Sequence, residues 1–329
     1  MFLRFGYAVG SLGFIGALIL IVVGHLVTIP TAMAIAEIAT NQKVEGGGEY
    51  YIISRSFGIN IGAAIGVALY FSQAISVAFY IIAFAEAFSP ITDFLFEKWD
   101  ILIPSRFISL PALLLLSWLM ITKGANIGMK VLYVVVGTLF LSLVMFFLGN
   151  ADFQASEISG NLLNKFIDKD QFFIVFAIVF PGFTGMTAGV GLSGDLKDPS
   201  KSIPWGTLSA TLIGMIVYVF IAYKLTVSAS AEDLLGDQLI MSKISIWGPI
   251  IPIGLAAATI SSALGSFLVG PRTLQALSVD RILPFSKINR WLAKNHPQRK
   301  EPINATRITA LIAFFFVSSA ILSTDAVSS

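Results

Sequence analysis

The sequence predicts an all-α polytopic membrane protein, and three observations predict it. Of its 329 residues, 56% are hydrophobic and only 12% are charged, where a soluble domain carries about 25% charged residues. The apolar residues gather into windows of about 20, the length that crosses a hydrocarbon core of about 30 Å as helix. The connections are mostly short and polar, and no soluble domain is inserted between them. Cysteine is absent, which excludes a disulfide framework, a thiolate nucleophile and a cysteine metal site. The net charge of +2 gives no reason to expect nucleic acid as a partner.

In chain order, the first apolar stretch is short, Met1 to about Leu12, before a turn region at Gly10–Gly16. Spans follow at 14–40, 59–88, 106–122, 128–148, 171–191, 203–227, 247–270 and 304–323. Pro30 kinks the second. Gly58, Gly62 and Gly66 make a small-xxx-small ridge on the third, a pattern that serves helix packing rather than chemistry. Glu37 and Glu86 sit near span ends. Each is a functional candidate or an interfacial acid. His25 lies within an apolar run and reads as a packed polar residue rather than a metal ligand, since His296 is far away in sequence.

Lys and Arg set the orientation. Eight of them lie between Arg272 and Arg307, and Lys123 and Lys130 flank another turn. Loops 41–56, 123–130, 192–202 and 271–303 are therefore expected in the cytoplasm. Loops 89–105, 149–170 and 228–246, acidic on balance, are expected outside.

The stretch from Gln171 to Gly206 organises the rest. It begins as apolar helix, Phe172 to Phe180, and then meets Pro181, Gly182, Gly185, Gly189, Gly191 and Gly194. Proline removes a backbone donor and glycine weakens helix, so the span is expected to break at mid-depth. Non-helical backbone at that depth is tolerated where it is buried in protein or lines a cavity, and there its freed groups bind ions or substrate. A glycine-rich packing face with a proline kink is the competing reading.

Four stretches carry a family likeness. They are NQKVEGGGEYYIISRSFG at 41–58, FYIIAFAE at 79–86, FPGFTGMTAGVGLSGDLKDPSKSIPWGT across the break, and ATISSALGSFLVGPRTLQAL at 258–277. In this order and spacing they resemble the cation-chloride cotransporters of the amino acid–polyamine–organocation superfamily, from Met1 to about Leu322. The resemblance implies a LeuT-like inverted-repeat transporter fold, with residues 1–150 as the first repeat and 151–329 as the second. It implies ions bound where the first and sixth helices unwind. Tyr80, the Pro181 carbonyl and Thr184 match the family's potassium site. The amides of Gly185, Met186 and Thr187 match one chloride site, and a helix N-terminus suits an anion. Ser261 and Ser262, with the carbonyl of Ala258, match the sodium site. Read without the family, two serines on an apolar helix more often make helix-to-helix hydrogen bonds, and a buried tyrosine simply finds a partner. The GGGEYY stretch implies a short amphipathic segment at the cytoplasmic gate, with Tyr50, Tyr51, Ile52 and Ile53 on its apolar side.

Two departures accompany the likeness. The family's first helix unwinds just before a Phe-(Ile/Leu)-Arg sequence, and this chain begins there, at Met1-Phe2-Leu3-Arg4. At the other end the likeness stops within the ninth helix. The expectation is a fold truncated at both ends, with partial ion sites, that does not transport on its own.

The leading expectation is a symporter of chloride with potassium and, on the serine pair, sodium, in the plasma membrane. An amino-acid or amine permease of the same superfamily is the alternative, and a non-transporting membrane fragment is a third reading. No acid–base or metal cluster suggests an enzyme, and no cofactor is implied. The partners are potassium, sodium and chloride ions and the lipid bilayer, with a homodimer as the one protein assembly considered.

Overall fold

The structure, a computed structural model, describes residues 3–41, 47–150, 168–185, 190, 196, 198–297 and 301–328, without the side chains at 125–131 and 321–328. All regular structure among the described residues is helical. The elements are α1 (Phe5–Asn41), α2 (Glu49–Phe57), α3 (Ile59–Glu86), α4 (Ser89–Trp99), α5 (Arg106–Lys123) and α6 (Ala125–Leu148). Then come α7 (Lys169–Val179), a 3-10 turn (Phe180–Phe183), α8 (Pro199–Ser228), α9 (Ala231–Gly236) and α10 (Ile240–Ile244). The last are α11 (Ile250–Val279), α12 (Ser286–Leu292) and α13 (Ile303–Ser328).

Six of these helices are long and apolar enough to cross a membrane: α1, α3, α5, α8, α11 and α13 up to Ala320. The described apolar part of α6, Leu132–Leu148, is shorter. The first two predicted spans join in α1, whose 37 residues exceed what a bilayer core holds. Gly13, at φ 70° and ψ −178°, interrupts it where the sequence separates the two stretches. The sixth predicted span appears as α7 and the 3-10 turn.

The chain forms two compact units, and each takes segments from both halves of the sequence. The first comprises Met1–Gln42, Leu139–Thr187 and Ser200–Gly254. Within it, α1 runs close to α9: a Cβ at Gly10 would stand 2.9 Å from Leu234 Cβ, so only glycine admits that approach. Aromatic contacts continue the packing, Phe5 with Tyr218 at 5.2 Å and Phe14 with Tyr223 at 6.1 Å between ring centres.

The second unit comprises Lys43–Thr138, Ala188–Pro199 and Leu255–Ser329. One core joins α3, α5, α11 and α13 through Val77, Ile81, Leu113, Leu116, Leu264, Phe267 and Val317. A second core gathers Tyr50, Tyr70, Leu274, Leu277, Leu292 and Ala305. The ridge on α3 packs as its spacing predicts at two of its three glycines. Ser54 Cβ lies 2.5 Å from a Cβ built at Gly62, and the Tyr50 ring covers Gly66. Gly58 instead turns the chain between α2 and α3 at φ 89°.

Candidate functional site

The break in the first unit is built from its sequence upward. Asp168 caps α7, its carboxylate accepting from the Gln171 N–H at 3.4 Å. Phe172, Phe176 and Phe180, four apart, stack along one face. Pro181 has no N–H to continue the ladder, and the chain tightens into the 3-10 turn Phe180–Phe183. Thr184 is then extended, at φ −89° and ψ −178°. Gly185 follows at φ 109°, a conformation that a side chain would strain.

The freed carbonyls are held by local donors. Thr184 donates its hydroxyl to the Pro181 carbonyl at 2.7 Å and its N–H to the same oxygen at 3.3 Å. The Tyr218 hydroxyl donates to the Gly182 carbonyl at 2.7 Å. Pro181, Gly182, Thr184 and Gly185 are exposed, whereas Phe183 is buried. The Phe183 ring lies 5.1 Å from the His25 ring and 4.8 Å from that of Tyr218. This anchors the turn and leaves its polar backbone on a surface. His25 Nδ1 donates to the Ile21 carbonyl at 2.7 Å, which makes it a packed residue of α1.

Two sequence-predicted ligands, Pro181 and Thr184, are thus brought into direct contact. The expected loss of the Pro181 partner is only partial, because a 3-10 bond and a hydroxyl replace the α-helical N–H. A carbonyl has two lone pairs, and the Thr184 oxygen, its proton committed to Pro181, keeps lone pairs for a cation. Of the predicted chloride-binding amides, Gly185 is described, while Met186 and Thr187 lie outside the described residues.

The remaining candidates belong to the second unit. Tyr80 is half-buried on α3 and packs against the core that includes Ala263 and Leu264 of α11. Its hydroxyl makes no hydrogen bond among the described residues. On α11, Ser262 donates to the Ala258 carbonyl at 3.0 Å, bringing two of the three predicted sodium ligands together. Ser261 is half-buried, and its hydroxyl likewise has no hydrogen-bond partner among the described residues. Glu37 and Glu86 are exposed. Among the described residues no group of three His, Cys, Asp or Glu could hold a metal ion.

Sequence reading misses two features. Tyr218 is one, a tyrosine inside an apolar span whose hydroxyl braces the break 36 residues away. The other is Asp280, which joins α2 to the end of α11. The Tyr50 hydroxyl donates to its Oδ2 at 2.7 Å, and Arg55 to its Oδ1 at 3.1 Å. Burial, reinforced by that hydrogen bond, raises the Tyr50 pKa well above the ordinary tyrosine value, and the carboxylate raises that of Arg55. The amphipathic character expected of this segment is present, with Tyr50 and Ile52 buried and Tyr51 and Ile53 half-buried. The signal for Asp280 is an acid in a loop where Lys and Arg outnumber the acids Asp280 and Glu301.

Comparison with known proteins places this geometry in a family. The chain is 31% identical to human solute carrier family 12 member 1, over 99% of this chain and 34% of the relative. It is 32% identical to solute carrier family 12 member 2 of Squalus acanthias, over 96% of this chain and 31% of the relative. Mouse solute carrier family 12 member 8 is 29% identical over 96% of this chain and 45% of its own length. The chain therefore spans about a third of the first two relatives and under half of the third. The amino acid permease family model matches residues 1–329. With six helices among the described residues fit to cross a membrane and a family match over residues 1–329, this multi-pass membrane protein belongs to the amino acid permease family.

Proposed function

We propose that the protein is the ion-handling part of a secondary active symporter that moves chloride with potassium and sodium by alternating access. The observation that carries this reading is the exposed oxygen pair at the broken helix, the Pro181 carbonyl and the Thr184 hydroxyl. Such oxygens replace part of the hydration shell of a large monovalent cation, and Tyr80 is assigned to the same shell by the family likeness. Gly185, with Met186 and Thr187, is assigned to chloride. Ala258, Ser261 and Ser262 are assigned to sodium, and the contact between Ser262 and Ala258 supports that grouping. The reading includes two inverted repeats, 1–150 and 151–329, and a plasma-membrane location with loop 271–303 in the cytoplasm. The solute-carrier relatives support transport as the class of activity.

The test is chloride-dependent rubidium uptake into liposomes or cells carrying this chain within a protein of its relatives' full length, with and without sodium. Saturable uptake that requires chloride supports symport. Uptake of an amino acid or amine, with no chloride-dependent rubidium flux, would establish the second reading, an amino-acid permease. The family match and the open backbone at Gly182–Gly185 favour that reading over a bare scaffold.

A further inference from the structure

The end of α11 carries a feature that the transport site does not use. The helix closes in a Schellman turn, with the Ile282 N–H on the Leu277 carbonyl at 3.0 Å and the Arg281 N–H on the Ser278 carbonyl at 3.2 Å. Leu277 is buried and Ile282 packs against the same core, the apolar contact that usually accompanies this turn. Glycine is the usual residue at the left-handed position of the motif. Here it is Arg281, at φ 58°. A side chain held there without glycine's freedom is strained, and strain of this kind points toward a role for the side chain.

Arg281 lines an open pocket of about 410 Å³ together with Arg290, Ser278, Ser286 and Asn289. That size lies within the range of small-molecule sites. The loop around it is braced by Asn289, which is 4% exposed. Its amide nitrogen donates to the Leu283 carbonyl at 2.6 Å and the Phe285 carbonyl at 3.3 Å, and its oxygen accepts from the Leu283 N–H at 3.3 Å. Ser278 donates to the Leu274 carbonyl at 2.8 Å. These polar groups hold the walls, and the two guanidiniums remain for a ligand. Among the described residues neither guanidinium has a hydrogen-bond or ion-pair partner. The neighbouring carboxylate, Asp280, is engaged by Tyr50 and Arg55.

Two arginines facing one pocket repel each other, and their planar donor forks suit a phosphate group. Beside the pocket, Phe285, Ile288 and Trp291 are exposed at 63%, 43% and 42%. They lie at the start of and within α12, the short helix that follows the membrane-crossing α11, and aromatic side chains next to a span favour the bilayer interface. Lys287 adds positive charge on the same short helix, and basic clusters next to membrane spans draw anionic headgroups.

We propose that the pocket formed by Arg281 and Arg290 binds a terminal phosphate group, supplied by the phosphomonoester headgroup of an anionic lipid in the adjoining leaflet or by free inorganic phosphate. Assigning the cytoplasmic leaflet rests on the orientation in the preceding subsection, whereas the binding itself does not.

The test uses the full chain in detergent, where sidedness plays no part. Affinity is measured for dioctanoyl phosphatidylinositol 4-phosphate, inorganic phosphate and dioctanoyl phosphatidylcholine. The wild type should bind the phosphoinositide saturably, with phosphatidylcholine inert. Arg281→Gly and Arg290→Gln should each weaken binding at least tenfold. Arg281→Gly should keep or raise the thermal midpoint, since glycine relieves the turn, and this separates lost binding from lost fold. If inorganic phosphate binds as tightly and is lost in the same variants, the phosphate site stands and its source is soluble. Absence of binding by both phosphate probes, or undiminished binding when Arg281→Gly and Arg290→Gln are combined in one protein, would overturn the proposal. Separate thiol labelling of loop 271–303 decides the leaflet without affecting that outcome.

Discussion

Phe183 occupies the space that a side chain at Gly24 would need: a Cβ there would lie 2.5 Å from Phe183 Cδ2. The contact couples α1 to the residue just before Thr184, and Phe183 also rests against His25 and Tyr218. Gly24→Ala should therefore push the ring off its seat and lower the thermal midpoint, at a cost of about 1–3 kcal/mol for an overpacked core. Phe183→Leu in the same background should restore most of the loss. A Gly24→Ala protein as stable as the wild type would show that the ring moves aside freely.

The oxygen pair at the break sets the second expectation. Thr184→Ser keeps the hydroxyl that meets Pro181, whereas Thr184→Val removes it. Losing one ligand oxygen is worth about 1–3 kcal/mol, or roughly fivefold or more in affinity. In rubidium uptake by a protein that carries this chain at its relatives' full length, Thr184→Val and Tyr80→Phe should each raise the half-saturating concentration by that factor, and Thr184→Ser should stay near wild type. Equal kinetics for all three variants would remove these residues from the cation shell.

Much of this fold is readable from the sequence because its determinants are local. Pro181 lacks an N–H and Gly185 alone accepts φ 109°, so the break is written within five residues. Gly13 separates two apolar stretches for a similar reason. The braces are not local. Tyr218 meets Gly182 across 36 residues and Tyr50 meets Asp280 across 230, and nothing in the residues themselves announces such partners. The Ser262–Ala258 contact lies between: its four-residue spacing is legible, while its assignment to sodium rests on the family likeness.

The serine pair separates sodium coupling from packing. Ser262 already donates to the Ala258 carbonyl, and Ser261 has no such bond. Ser261→Ala with Ser262→Ala should abolish the sodium dependence of uptake or abolish uptake, while the helix survives because alanine is its best former. Wild-type uptake that never responds to sodium would assign both hydroxyls to packing.

Orientation can be read without any transport. Glu97 and Lys294 are exposed residues of the second unit, in loops expected on opposite sides of the membrane. Because the chain has no cysteine, Glu97→Cys and Lys294→Cys each introduce one thiol. An impermeant reagent applied to sealed, right-side-out cells should label position 97 alone. Labelling at 294 would reverse the orientation.

The tie from Tyr50 to Asp280 yields a pH signature. The tyrosine donates to a carboxylate that Arg55 also holds, and a hydrogen bond to a charged group contributes about 1.5–3 kcal/mol. Tyr50→Phe should lower the thermal midpoint accordingly, with α2 loosened from the end of α11. The folded pKa of Tyr50 is raised above the ordinary value of 10.0, first by burial and then by the bond to Asp280. A raised pKa means that the unfolded chain releases this proton first as pH increases. The stabilisation is then fully present below the unfolded value and is lost only as pH climbs through the higher folded one. Between pH 6 and 9, chosen to lie below both, the gap between wild type and Tyr50→Phe should stay constant. It should narrow only in strongly alkaline solution. Thermal midpoints of both proteins across that range provide the check, and a gap that widens between pH 7 and 9 would mean that Tyr50 ionises within the native state, before the unfolded chain does, and does not hold Asp280 as described.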